Sequence, residues 1–202
     1  VRLFASVEPS PQALAHLGAA VGAVRGPWSG RGGVRWVDPE QWHVTVAFYG
    51  EVPDGAVPGL TGALAERVGP LRVPRLRLRG AGSFSGRNLW VGVVGESEDD
   101  ERALSALVAG CLAAGADVGL PPEPRPRNRA HVTLARVGGR RPEGRRGGAA
   151  DDVADTVRAL AVYAGPAWRA TQVLLVRSQL GAGRGGGPLH EVVAGLALRG
   201  PA

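Results

Sequence analysis

The chain has 202 residues, a formal net charge of +6 and a single cysteine, Cys111. One cysteine excludes an internal disulfide framework and a cysteine-rich zinc site, and no apolar run is long enough to cross a bilayer as a helix. Every basic side chain is arginine, whose planar fork suits phosphate oxygens; anionic partners, nucleic acid first, weigh against a plain solvated surface.

In chain order, "VRLFASVEP" alternates and is rich in β-formers, which predicts a strand. "SPQALAHLGAAVGAV" predicts a helix capped by Ser10, with Pro11 at its first position. "RGPWSGRGG" is a loop. "VRWVDPEQWHVTVAFYGEV" reads as a short strand, a turn at Asp38-Pro39 and a longer strand. A helix follows in "PDGAVPGLTGALAERVG", then two strands around a Gly/Ser turn in "LRVPRLRLRGAGSFSGRNLWVGVVG". Ser97 opens the next helix with a capping-box-like Ser-Glu-Asp-Asp. "LPPEPRPRNRAHVTLARV" is a proline-rich approach to a strand, and "GGRRPEGRRGGAADD" a loop. The spacing predicts a helix over 151–160, then two strands in "WRATQVLLVRSQL" and "HEVVAGLAL". Strands and helices alternate in both halves, so an α+β or α/β domain with approximate internal duplication is expected.

The same phrase, His-Val-Thr-aliphatic, occurs at His43–Val46 and again at His131–Leu134. On a strand, residues i and i+2 share a face. His43 and Thr45 therefore project together, as do His131 and Thr133, while Val44, Val46, Val132 and Leu134 turn the other way. Two such strands facing each other would join two imidazoles and two hydroxyls. One imidazole could accept a proton while the other donates one, and the hydroxyls could bind non-bridging phosphate oxygens. A single His-x-Thr is weak evidence, because most strand histidines are ordinary polar residues. Repetition among only four histidines carries the argument, although a duplicated structural strand would also repeat. Zinc is the weaker option, since no His-x-x-x-His pattern completes a ligand set. His16, on the first helix, and His190, at the start of the last strand, are taken as structural.

The paired motifs resemble those of the 2H phosphoesterase superfamily and, more narrowly, the RNA 2′,3′-cyclic phosphodiesterases, or 2′-5′ RNA ligase-like proteins. "RLFASVEPS", "WVDPEQWHVTVAFYGEV", "RNRAHVTLARV" and "VLLVRSQLG" match that family in order along nearly the whole chain. The resemblance implies an α+β fold with two pseudo-symmetric lobes, each an antiparallel sheet with helices outside, enclosing a central cleft; residues 1–202 would form one bilobal domain. It implies metal-independent and cofactor-free hydrolysis of RNA 2′,3′-cyclic phosphate ends, or of small cyclic nucleotides, to 2′-phosphates. His43 and His131 would be the acid/base pair, with His131 as base and His43 as acid. Thr45, Thr133 and Arg136 would bind the phosphate. By strict alternation Arg136 lies on the face opposite His131 and Thr133, so reaching the phosphate needs a twist or a strand end. Phe48 is expected in the core, and the arginines at 140, 141, 145 and 146 could steer RNA.

Two alternatives stay open on the sequence: reversible 2′-5′ RNA ligation through the same groups, and an RNA-binding module without turnover. No charged n-region followed by an apolar core opens the chain, and with the lone cysteine this leads to the expectation of a cytoplasmic protein without membrane attachment; a monomer is the default.

Overall fold

A computed structural model describes residues 1–25, 34–120, 129–137, 149–183 and 186–200. Of the expected loops 25–33 and 138–152, residues 26–33 and 138–148 lie outside the described residues, as do 121–128 of the proline-rich segment; Arg25 and residues 149–152 are helical.

The strands are β1 (Arg2–Val7), β2 (Val34–Trp36), β3 (Val44–Glu51), β4 (Arg75–Phe84), β5 (Asn88–Gly95), β6 (His131–Val137), β7 (Ala164–Arg169), β8 (Gln172–Gln179) and β9 (Leu189–Ala197). The helices are α1 (Pro11–Arg25), α2 (Val57–Val68), α3 (Glu98–Asp117) and α4 (Ala149–Leu160). Helix starts follow their caps. The Ser10 hydroxyl accepts from the Ala13 N–H at 3.2 Å, and the Ser97 hydroxyl from the Asp100 N–H at 3.1 Å, each satisfying a donor the helix cannot.

All strand pairs are antiparallel, in the order β7-β4-β5-β6-β3-β1-β8-β9, with β2 added to β6. This is the α+β architecture with a curled antiparallel sheet. The two motif strands, β3 and β6, are innermost, and one bridged pair, Val44 with Val132, joins them. On either side the strands mirror one another: β1 matches β5, β8 matches β4 and β9 matches β7. These wings are not the consecutive halves of the chain. One wing takes β1, β3, β8 and β9, whereas the central segment supplies β4 to β7 for the other. Of the helices, α1 crosses to the other wing and packs on β7 and β4; α4 packs on β4 and β5, α2 covers β9, and α3 pairs with α2 and lies on both β3 and β5.

One buried cluster lies between sheet and helices, built from Leu3, Leu17, Leu60, Leu64, Leu76, Leu107 and their neighbours. The Leu/Arg alternation of β4 places Leu76 and Leu78 in it and leaves Arg75 exposed. The stretch 168–180, which reads as one strand, holds only the end of β7 and then β8; most of β7 precedes it, where no strand is expected. Gly165 and Pro166 disfavour a strand interior, but β7 lies at the sheet edge, where a missing N–H is tolerated.

Candidate active site

A single register fixes the pairing of the two motifs. With Val44 opposite Val132 in an antiparallel pair, position 43 faces 133 and position 45 faces 131. Each histidine is thus set across from the other motif's threonine. Val44, Val46, Val132 and Leu134 are fully buried behind them, while His43, Thr45, His131 and Thr133 remain partly exposed on the opposite face.

Both imidazoles are locked in the same way. Nδ1 of His43 is 2.7 Å from the Gln41 carbonyl, and Nδ1 of His131 is 2.7 Å from the Arg129 carbonyl. A carbonyl only accepts, so Nδ1 carries the hydrogen and Nε2 is the nitrogen that can exchange a proton with a ligand. The surroundings differ. His43 stacks on Phe4, with ring centroids 4.9 Å apart, and meets His190 edge-on at 5.1 Å. Burial pushes its pKa down to about 4; the Gln41 carbonyl opposes this, and the charges of His190, Arg136 and His131 add to it. His131 instead meets Phe84 edge-on at 5.1 Å, with Trp90 at 6.2 Å.

Arg136 reaches the histidine face through a β-bulge. Thr133 pairs with Trp90 and Ala135 with Leu89, so Leu134 is an extra residue in β6. The bulge shifts the alternation by one, leaving Leu134 and Ala135 both buried and Arg136 exposed. Arg136 then lines a recess of about 70 Å³ with His43, Thr133 and His190. The twist that strict alternation required is this bulge. β3 repeats the device: Val46 is the extra residue between the pairs Thr45–Ser6 and Ala47–Ala5. Phe48 is therefore the counterpart of Arg136. It packs with Phe4, Leu174 and Val176 in a small cluster outside the main core, under the Arg2 guanidinium at 4.7 Å.

His190, expected from sequence to be structural, lies at this site. β9 is three strands from β3, about 14 Å in a flat sheet, so only a curled sheet brings the two rings together. The Gln41 side-chain N–H donates to the Pro188 carbonyl at 2.7 Å and ties the two ends. Burial, then Arg136, lowers the His190 pKa. His16 stays away, 3.1 Å from the Tyr163 hydroxyl. Cys111 is buried, and its thiol is pushed up to about 12, so it is no nucleophile near neutrality. Among the described residues no group of three or more His, Cys, Asp or Glu gathers into a metal-binding cluster, and no helix is long and apolar enough to cross a membrane.

Trp90 is seated by a glycine. A Cβ on Gly82 would fall 2.3 Å from a Trp90 ring atom. Gly82→Ala should displace the indole beside His131 and lower unfolding free energy by about 1–3 kcal/mol, read from the urea midpoint. An unchanged midpoint would mean the ring moves freely.

Fold and site together have the form of a two-histidine phosphoesterase. The model of the LigT-like phosphoesterase family matches residues 7–94. An RNA 2′,3′-cyclic phosphodiesterase of Thermus thermophilus is 32% identical over 170 residues, covering 81% of this chain and 75% of that one. An enzyme of the same name from Geobacillus stearothermophilus is 33% identical over 105 residues, which span 50% of this chain but only 32% of that one. The crystal structure of TT0787 from Thermus thermophilus superposes with a TM-score of 0.70 at 27% identity, covering 100% of both chains. Escherichia coli LigT complexed with 3′-AMP shares the fold, with a TM-score of 0.65 at 20% identity over 98% and 97% of the chains. The chain belongs to the LigT-like phosphoesterase family.

Proposed function

We propose that this protein hydrolyses RNA 2′,3′-cyclic phosphate ends to 2′-phosphates without a metal. The observation that carries the reading is the matched pair of imidazoles, each with Nδ1–H held by the carbonyl two residues back, on strands joined at Val44 and Val132. The names of the relatives agree with it. His131 Nε2 takes a proton from water as the water oxygen bonds to phosphorus. The bond from phosphorus to O3′ breaks, and His43 delivers a proton to O3′, leaving a 3′-hydroxyl and a 2′-phosphate. Thr45, Thr133 and Arg136 stabilise the charge that grows on the non-bridging oxygens. RNA and small cyclic nucleotides present the same five-membered ring.

The direct test follows a nucleoside 2′,3′-cyclic phosphate and an RNA ending in one, in excess EDTA. The expected product is the 2′-phosphate at an undiminished rate. Loss of turnover with the chelator, or a 3′-phosphate product, would refute the reading.

The proposed role of His43 sets a pH dependence. Its pKa is about 4 in the empty site, so near neutrality it is uncharged and must gain a proton to act as acid. A bound phosphodiester anion favours the charged imidazole and raises that pKa. Between the free and bound values the complex holds the extra proton, so affinity rises as pH falls from 7 toward 4. Calorimetry of a cyclic nucleotide on His131→Ala, in buffers of different ionisation heat, should show proton uptake that the double variant with His43→Ala lacks. Binding without uptake would remove His43 from the acid role.

A further inference from the structure

A groove of about 790 Å³ opens beside the catalytic recess, between β2 and the described residues that follow β8 and precede β9, among them Leu180, Gly181 and Pro188. Arg136 lines both, as do Val37, Gln41 and Pro188, so the two spaces adjoin. We propose that this groove seats the RNA chain on the 5′ side of the cyclic phosphate, with Arg35 and Arg25 on its nearest backbone phosphate. The inference rests on the hydrolytic reading above and extends it, because it assigns a seat to the chain behind the cyclic end.

Three observations support it. First, Arg35 on β2 is the direct register partner of Arg136 on β6. Register partners on neighbouring strands project to the same face, so the two guanidiniums stand side by side where one anion could meet both. Second, Arg25 lies over the Trp36 ring at 5.4 Å and lines the same groove, so its guanidinium is held at the wall before any ligand arrives. Third, among the described residues cations outnumber carboxylates along the wall. Arg25, Arg35 and Arg136 line it with Asp38 and Glu40, and the Asp38 carboxylate already accepts from the Glu40 N–H at 3.2 Å. The direction of the chain follows from chemistry. A 2′,3′-cyclic end has no chain beyond O3′, so any further subsite in hydrolysis must take the 5′ side. A groove of this volume has the size of a small-ligand site and holds more than a phosphate.

The test compares Arg35→Gln and Arg35→Lys with the unsubstituted chain on two substrates: a nucleoside 2′,3′-cyclic phosphate, and a short RNA ending in the same group. Arg35→Gln should cut kcat/KM on the RNA about tenfold and change it less than about twofold on the nucleotide. Arg35→Lys should recover part of the loss. Equal losses on both substrates would place Arg35 at the reacting phosphate and overturn the inference, as would no loss on the RNA. Binding of a 2′-phosphate-ended RNA at several salt concentrations separates this from failure of the catalytic reading. If neither substrate turns over, the hydrolytic reading falls. The groove is still upheld if Arg35→Gln weakens RNA binding and makes its salt dependence shallower by about 0.7 in log–log slope. Binding that ignores the substitution overturns it.

Discussion

Replacing either His43 or His131 with alanine is expected to lower kcat on a 2′,3′-cyclic nucleotide by roughly 10²–10⁴. The two imidazoles occupy matching positions, but neither can do the other's work in one turnover, since one must start with a proton and one without. The double variant should therefore fall little further than the worse single one, because groups that act as a unit are not additive. His43 also stacks on Phe4 and meets His190, so its removal leaves a partial void. His43→Gln, which fills more of that space, should be as inactive as His43→Ala while keeping the unfolding midpoint. A glutamine variant with near-normal turnover would show that His43 serves packing rather than proton transfer.

The second large effect concerns Arg136. Its loss as alanine should lower kcat about 10²–10³-fold, the range seen when one donor to a developing phosphate or oxyanion charge is removed. Arg136→Lys should restore only part, since an ammonium cannot make the paired contact of the guanidinium fork. A change confined to KM would assign Arg136 to ground-state binding alone. The bulge at Leu134 gives this prediction its structural basis. Without it, Arg136 would share the face of Val132 and Leu134, both fully buried, where an unpaired cation is costly.

Local chemistry is what the sequence makes legible. Ser10 and Ser97 announce two helices because a cap acts within one turn of its own helix. The paired His-Val-Thr strings announce two strands because the side-chain period of a strand is two. The family resemblance supplies the fold and the expected roles of the site residues. What stays hidden depends on partners distant in sequence. The extra residues Val46 and Leu134 exist only relative to the strands beside them, so neither tetrapeptide discloses its bulge. His190 joins the site through the curl of a sheet whose order the sequence does not state. β7 is illegible because Pro166 is acceptable only at an edge, and edges are a property of the finished sheet. The crossing of chain halves between wings is hidden for the same reason, since the element order alone fits two consecutive repeats.

That crossing governs how the molecule is made. β1 leaves the ribosome ahead of the other strands, yet it lies between β3 and β8, and β8 begins only at Gln172. Until β8 has emerged β1 can pair on one side only, and its other edge stays open to whatever strand it meets. Long-range pairing of this kind closes slowly and leaves apolar surface uncovered while it waits. Phe4, which carries the His43 imidazole on its ring, belongs to that waiting strand. The active site therefore comes together only once β8 and β9 have emerged and closed over β1.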